Sequence, residues 1–277
     1  MFEGKTWWIT GASSGIGASL SAALGIAGAN LILSGRNQAV LNEMANRISA
    51  RSLVLPFEAT AFNQIPEIVG RAWDWATNLG GGVDGLVNNA GISQRSLALD
   101  TAFEVYRRII DVDLLAPIAL TQAILPRMAK VGHGHLVAIS SIAGIVGAPM
   151  RSAYSAAKHG VIGYCDSIRA ETDHLGVRVL VVAPGPVRTN IAKNALNATA
   201  SARGESDPSI ENGMDPDSVA DRILNALRSG ERELILAHGM ELEAAQLRRS
   251  DPNALFDMFA NMVASGYARQ FEPTKEN

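Results

Sequence analysis

Cysteine is nearly absent from this sequence, since Cys165 is the only one among 277 residues. One thiol excludes an intrachain disulfide, so the fold must be held together by burial and hydrogen bonds. Proteins that lack disulfides suit a reducing compartment, and we therefore expect a cytoplasmic protein. We also expect no bound metal.

An excess of positive charge is missing as well. Lys and Arg number 24 against 27 Asp and Glu, which gives a net charge of -3. Without a basic surplus there is no general attraction to phosphate backbones, so nucleic acid is not an expected partner. The amino-terminal segment carries Glu3 and few apolar residues, which is not the pattern of a signal peptide.

Long uninterrupted apolar runs do not occur. The longest weakly polar stretch, residues 136–150, is shorter than a bilayer requires and contains Gly, Ser and Pro. We therefore expect no membrane span. Linkers and internal repeats are also missing, which favours one domain over residues 1–277.

The sequence does contain a regular alternation of short apolar runs and longer stretches with helical spacing. Hydrophobic residues make up 47% of the chain, and each run is continuously apolar, as in strands covered on both faces. This alternation predicts an α/β fold: a Rossmann-type, doubly wound, seven-stranded parallel sheet in a three-layer α/β/α arrangement. The predicted strands span residues 5–10, 30–34, 52–56, 83–89, 134–140, 177–183 and 232–237.

A glycine-rich turn, TGASSGIG at residues 10–17, follows the first predicted strand. Glycines between a strand and a helix let the backbone turn tightly and let a pyrophosphate approach the helix N-terminus. The spacing G-x-x-x-G-x-G differs from the commonest dinucleotide fingerprint. The alternative is a flexible connection without a ligand.

Further motifs follow in order along the chain: NNAG at 88–91, Ser141, YSAAK at 154–158 and PGPVRT at 184–189. With the glycine turn, they resemble the short-chain dehydrogenase/reductase family in its single-domain branch, over about residues 4–240. The resemblance implies an NAD(P)-dependent oxidoreductase acting on CH–OH or C=O groups. It also implies a set of cofactor-binding residues: Gly11, Ser13, Ser14, Gly15, Ile16, Gly17, Arg36, Glu58, Ala59, Asn88, Ala90, Gly91, Tyr154, Lys158, Pro184, Gly185, Val187 and Thr189.

The end of the second strand indicates which nicotinamide cofactor to expect. NAD-binding folds place a carboxylate there, whereas this chain has Gly35 followed by Arg36. A guanidinium suits the 2′-phosphate, so we expect NADP(H) in preference to NAD(H), with Ser13 and Ser14 as further donors. The alternative is that Arg36 only begins the second helix as a solvated charge. Glu58 stands where the family usually has Asp for the adenine amine.

Tyr154 and Lys158 are four residues apart, so on a helix they share one face. A free tyrosine has a pKa near 10, and a nearby ammonium favours the phenolate. The resemblance makes Tyr154 the general acid/base and Lys158 the cation that assists it and binds the ribose. Ser141 would hydrogen-bond the substrate oxygen, and Ser140 competes with it by adjacency. The alternative is a packed aromatic beside a surface lysine.

Asp113 departs from the family pattern, which usually has Asn there to distort a helix and hold a water near the lysine. Asp bonds to nearby backbone much as Asn does, so the helix shape can survive. A carboxylate near Lys158 would raise the lysine pKa and weaken its pull on the phenolate. We expect Asp113 in the catalytic relay, with a modified pH profile.

The substrate site is less determined by the sequence. By resemblance, residues 190–214 form a substrate lid, which their composition predicts to be mobile when empty. The expected wall is mostly apolar and suggests a moderately apolar ketone or secondary alcohol; it consists of Ile92, Ser93, Gln94, Ile145, Val146, Met150 and Ile191. The extension at 240–277 is predicted to form two amphipathic helices broken at Asp251-Pro252. We expect a packed helix pair; the alternatives are that it caps the pocket, extends an interface or contacts a membrane.

Assembly and function complete the expectations. By resemblance, helices near 101–129 and 151–175 would pair copies into a homodimer or homotetramer. The alternative function is a sensor or scaffold that binds a dinucleotide without chemistry, which Ser141, Tyr154 and Lys158 argue against. An epimerase of the same fold is a third possibility, but such relatives are usually longer.

Overall fold

Seven apolar segments form the parallel strands of one sheet in the computed structural model, which describes residues 1–271. The strand order is β3-β2-β1-β4-β5-β6-β7, so the direction of winding reverses between β1 and β4. This confirms the predicted doubly wound fold. The strands are β1 (Thr6–Thr10), β2 (Asn30–Ser34), β3 (Ser52–Val54), β4 (Val83–Asn88), β5 (Gly134–Ile139), β6 (Val177–Pro184) and β7 (Glu233–Leu236).

Helices cover both faces of this sheet. In β1 every residue is buried, with Trp7 and Ile9 in the core on one face and Trp8 in the core on the other. This double burial explains why the run is continuously apolar. The helices are α1 (Gly15–Ile26), α2 (Gln38–Arg47), α3 (Ile65–Thr77), α4 (Phe103–Ile110), α5 (Ala116–Val131), α6 (Ser152–Thr172), α7 (Pro208–Glu211), α8 (Pro216–Ser229), α9 (Gly239–Ser250) and α10 (Pro252–Ala264).

The third strand is shorter than the sequence pattern predicts. β3 ends at Val54, although the backbone N–H of Leu55 still donates to Leu33 O at 3.0 Å. Phe57 N likewise donates to Gly35 O at 3.1 Å, so hydrogen bonds along β2 continue beyond the last strand residue.

One helical stretch in the described part of the chain, Phe103–Val131, is long and apolar enough to cross a bilayer by length and composition. Its most apolar window has a mean hydropathy of 1.6 and is 33% buried. The stretch also supplies Leu120, Ile124 and Met128 to the core beside the sheet. A core helix of a soluble protein meets the same criteria.

Two segments follow the sixth strand. Between β6 and α8 the chain is mostly irregular, apart from the single turn α7. After β7, helices α9 and α10 meet at Asp251, whose side chain caps α10 by accepting from Ala254 N at 3.1 Å. The predicted extension continues to residue 277, and residues 272–277 lie outside the described part.

Candidate active site

A cavity of about 1240 Å³ opens along the carboxyl ends of the strands, where ligands bind in sheets of this kind. It is bounded by the glycine turn at one end and by the segments after β6 and β7 at the other. Every predicted catalytic and cofactor-binding residue lines it except Gly17. The structure therefore brings together side chains that are as far apart in sequence as Gly11 and Thr189.

The glycine turn leaves little room for side chains. Gly11 and Gly15 have φ angles of +65° and +54°, which favour glycine. A Cβ on Gly11 would lie 2.8 Å from Asn89 Nδ2, and one on Gly15 would lie 2.8 Å from Thr189 Cγ2. Ser14 begins α1 without a side-chain capping bond, so the helix N-terminus is open to an anion. This geometry fits a pyrophosphate.

Gly17 lies behind the cavity wall and has a packing role. A Cβ there would lie 2.3 Å from Gly11 O and 2.4 Å from Asn89 Nδ2. Asn89 holds the turn from below, since its Nδ2 donates to Thr10 O at 2.9 Å. The sequence analysis did not single out Asn89 or Thr10 for this contact. The paired asparagines of the NNAG motif were the available signal.

The adenosine end of the cavity carries Arg36. This side chain is exposed, and no salt bridge to it occurs among residues 1–271. Gly35 beside it leaves the end of β2 without a carboxylate. Glu58 and Ala59 lie on the same cavity, with Glu58 Oε1 accepting from Thr60 Oγ1 at 3.4 Å.

Tyr154 and Lys158 lie one turn apart on α6 and both line the cavity. The Lys158 ammonium lies 5.6 Å from the centroid of the Tyr154 ring. It is 5% exposed and donates to Ile139 O at 3.0 Å, which fixes it at the end of β5. The cation is thus held close to the phenol in a largely dry setting, where its charge is weakly screened.

Ser141 follows β5 directly and lines the cavity near these two residues. Its Oγ accepts from Ala143 N at 3.1 Å and lies 3.4 Å from Pro184 O. Ser140 Oγ instead donates to Lys158 O at 3.0 Å and is buried. Of the two adjacent serines, Ser140 is therefore committed to holding α6 against β5.

Asp113 lies in a π-helical segment, Asp111–Leu115, between α4 and α5. Its Oδ1 accepts from Ile92 N at 2.8 Å, and its Oδ2 lies 3.1 Å from Lys158 Nζ. The side chain is 0% exposed. The sequence analysis expected a distorted helix at Asp113 and a carboxylate near Lys158, and the structure has both.

The Asp113–Lys158 pair is electrostatically coupled. Burial raises the pKa of Asp113, and the Lys158 ammonium opposes that rise. Burial acts to lower the pKa of Lys158, but the Asp113 charge and hydrogen bond, together with Tyr154, outweigh it and raise the pKa above 10.5. Lys158 is therefore a cation throughout the neutral range, with part of its field cancelled by Asp113.

The middle of the cavity also fits part of a cofactor. Asn88 donates through Nδ2 to Thr121 Oγ1 at 3.0 Å, while its Oδ1 is buried without a partner among the described residues. A Cβ on Gly91 would lie 2.7 Å from Asp113 Oδ2. After β6, Gly185 is anchored by its N–H to Leu236 O at 2.7 Å, beside Pro184, Val187 and Thr189.

The substrate end differs in part from the predicted wall. Ile92, Ser93, Val146 and Ile191 line the cavity, whereas Gln94, Ile145 and Met150 do not. Gln94 is fully buried, because its Oε1 accepts from Ala153 N at 2.9 Å and its Nε2 donates to Thr101 Oγ1 at 3.1 Å. The sequence predicted Gln94 as a ligand contact because of its place after a strand. In the structure its side chain instead caps α6.

Ile145 packs away from the cavity, in the apolar cluster beneath the tail helices. The tail in turn lines the cavity through α9, α10 and the turn after them, which sequence reasoning left open. Its lining residues are Met240, Glu241, Ala244, Phe259, Met262 and Tyr267. Arg95 and Arg151 also face this end, and no motif pointed to them.

Comparisons with known proteins identify the family of this chain. The family model described as short chain dehydrogenase matches residues 5–200. The protein named Dehydrogenase/reductase SDR family member 7B of Danio rerio is 38% identical over 264 residues, covering 94% of this chain and 85% of that protein.

Solved structures give the same picture for the fold. A short chain dehydrogenase from Burkholderia cenocepacia in complex with NADP is 25% identical, with a TM-score of 0.78 over 94% of this chain and 98% of that chain. A short chain dehydrogenase/reductase from Burkholderia phymatum in complex with NAD is 21% identical, with a TM-score of 0.79 over 91% and 95%. The latter likeness is one of fold.

Proposed function

Since the chain belongs to the short-chain dehydrogenase family, we propose that it is an NADP(H)-dependent oxidoreductase that interconverts a ketone and a secondary alcohol. Family membership makes it a nicotinamide-dependent enzyme of CH–OH and C=O groups. The observation that carries the proposal is the meeting of Ser141, Tyr154 and Lys158 on one cavity with the glycine turn. A bound nicotinamide supplies hydride to the carbonyl carbon, or accepts it from the alcohol.

The protein side chains handle the proton. In reduction the Tyr154 hydroxyl donates its proton to the carbonyl oxygen, and in oxidation the phenolate takes the proton from the alcohol. Ser141 Oγ donates a hydrogen bond to the same oxygen and so stabilises the charge that develops on it. Lys158 favours the phenolate through its charge, 5.6 Å from the ring centroid.

Arg36 supports the choice of NADP(H). A guanidinium can meet the 2′-phosphate with two charge-assisted hydrogen bonds, whereas a carboxylate at Gly35 would have repelled it. Arg36 is exposed, lines the cavity, and is not engaged in a salt bridge within the described residues.

The test is a panel of ketones and secondary alcohols assayed with both cofactors by the absorbance of the reduced nicotinamide. We expect kcat/KM to favour NADPH, and Arg36→Gln to lower the NADPH value about ten- to hundredfold, as for loss of bonds to a charged group. Arg47→Gln, an exposed arginine on α2 away from the cavity, is the matched control and should leave the preference unchanged.

Two results would contradict the proposal. A wild-type preference for NADH would refute the assignment of Arg36. Tight NADPH binding without turnover of any compound on a broad panel would instead favour the sensor or scaffold.

A further inference from the structure

A cluster of arginines around the buried Asp207 lies where the segment after β6 meets the substrate end of the cavity. Asp207 is 1% exposed and lies 2.6 Å from Arg95 Nη2 and 3.9 Å from Arg151 Nη2. Arg203 also pairs with this carboxylate. Arg95 and Arg151, which both line the cavity, share this one carboxylate, so the pair keeps an excess of positive charge.

No other acidic side chain is placed to cancel this excess among the described residues that line the cavity. Asp113 is paired with Lys158, and Glu58 lies at the adenosine end with Thr60. Glu241 lies in the first turn of α9, where the helix dipole favours an acid, and it makes no salt bridge to the cluster. Glu205, near Asp207 in sequence, is exposed.

The two arginines of this cluster that line the cavity, Arg95 and Arg151, are used differently. Arg95 is fully engaged: Nε donates to Asp207 Oδ2 at 2.7 Å, and Nη1 donates to Ser93 Oγ at 2.9 Å and Gln94 O at 2.8 Å. Arg151 is not, because its Nε is buried without a hydrogen-bond partner and its Nη2 stands beyond hydrogen-bond distance of Asp207. The Arg151 side chain is 22% exposed and lines the cavity, so its guanidinium is the part of the cluster left for an anionic ligand.

Electrostatics within the cluster agree with this asymmetry. Burial and the charge of Arg151 together lower the pKa of Arg95 to about 10, although Asp207 opposes both. Arg95 stays protonated at neutral pH, so the two cations repel each other beside the cavity. An anion between them would relieve that repulsion.

The backbone places Arg151 next to the reacting centre. It immediately precedes α6, Tyr154 follows three residues later, and both residues line the cavity. Met150 before it has a φ of +61°, a left-handed conformation that non-glycine residues adopt at a cost. Ser96 N donates to Met150 O at 3.1 Å and holds this turn.

We propose that Arg151, backed by Arg95, binds an anionic group of the substrate, a carboxylate or a phosphate, while the carbonyl lies at Tyr154. The proposal rests on the proposed oxidoreductase function and specifies its substrate class. The planar guanidinium can accept such a group in bidentate fashion. The apolar side chains of Val146, Phe259 and Met262 line the same cavity and would contact the hydrocarbon part.

The test compares matched charged and neutral substrates. Oxo acids of increasing chain length are assayed against their methyl esters, and oxoalkyl phosphates against the parent oxo alcohols. We expect kcat/KM to favour the anionic members about ten- to hundredfold, as for hydrogen bonds to a charged group. Preference within only one of the two series identifies the anion as a carboxylate or a phosphate.

Substitutions then assign the preference to Arg151. Arg151→Gln should reduce the ratio between anionic and neutral members to near one, and Arg151→Lys should keep part of it. Arg222→Gln, an exposed arginine on α8 away from the cavity, should leave the ratio unchanged. Equal rates for the charged and neutral members of both series in the wild type, or a ratio that survives Arg151→Gln, would overturn the proposal.

A binding measurement separates this proposal from the oxidoreductase function itself. Decanoate and decyl phosphate, which carry no carbonyl, should raise the melting temperature of the wild-type protein but not of Arg151→Gln. If no carbonyl compound is turned over yet this shift occurs, the enzymatic proposal fails and the anion site stands. If both anions leave the melting temperature unchanged, the site is refuted.

Discussion

At the scale of single residues, Asp113 shows how one carboxylate changes a site without changing its shape. Its Oδ1 accepts from Ile92 N at 2.8 Å, a bond that an Asn carbonyl could make equally well. Its Oδ2 differs, because it brings negative charge to 3.1 Å from Lys158 Nζ. The consequence should appear in pH dependence rather than in folding.

Asp113→Asn should move the pH profile of alcohol oxidation to lower pH. Removing the carboxylate restores the full field of Lys158, which favours the Tyr154 phenolate and so makes the base available at lower pH. The measurement is kcat/KM for a secondary alcohol with NADP⁺ across pH. Asp111→Asn, in the same π-helical segment but not lining the cavity, is the control. An unshifted profile in Asp113→Asn would show that the pair does not tune the phenol.

Individual site residues could be predicted from the sequence where a recognisable motif or strand end marks them. Ser141, Tyr154 and Arg36 were named from the sequence and line the cavity. Arg95 and Asp207 were not, because they are 112 residues apart and neither has a local pattern. Their contact exists only because the segment after β6 folds back onto the loop after β4.

At the scale of elements, the turn between β1 and α1 depends on the close approach of the Gly17 backbone to Gly11. Gly17 lies within α1 with no room for a methyl group, whereas Gly70 lies within α3 with no atom within 4 Å of a Cβ built there. These two helical glycines therefore make a matched pair.

Gly17→Ala should weaken NADPH binding and lower the free energy of unfolding by about 1–3 kcal/mol, because the methyl group forces the helix off the turn. Gly70→Ala should instead raise the free energy of unfolding by about 0.5–1 kcal/mol through helix propensity. Urea unfolding and NADPH titration measure both effects. Unimpaired binding in Gly17→Ala would contradict the packing described for the turn.

The strands were predictable because a strand that is buried on both faces consists of a continuous run of apolar residues. The π-helical segment Asp111–Leu115 was not predicted as such, because it depends on the contact between Asp113 and the backbone of Ile92, 21 residues away. The end of β3 was overestimated because the apolar run continues past Val54, where the regular strand ends.

At the scale of the whole molecule, the stretch around α4 exposes large apolar side chains. Leu99 and Phe103 are 97% and 75% exposed, and Leu115 is 40% exposed. Apolar surface of this kind is typical of an interface. We propose that this face pairs copies of the chain into a homodimer or homotetramer.

Sedimentation should therefore give two or four times the chain mass of 29.3 kDa. Phe103→Glu should shift the protein to monomer, since a charge is costly in an apolar interface. Ile26→Glu, at the 89% exposed end of α1, should leave the assembly unchanged. A monomeric wild type would refute the pairing, and cosedimentation of that monomer with lipid vesicles would assign the face to a membrane.

The central claim is that the Tyr154 hydroxyl carries the proton in hydride transfer, and turnover by Tyr154→Phe tests it most directly. With saturating NADPH and the best ketone of the panel, kcat should fall about a hundred- to ten-thousandfold, as expected for loss of a general acid. NADPH binding, followed by fluorescence, should persist. Tyr164→Phe, ten residues along α6 and outside the cavity, should keep wild-type turnover. Near-normal turnover by Tyr154→Phe would contradict the account.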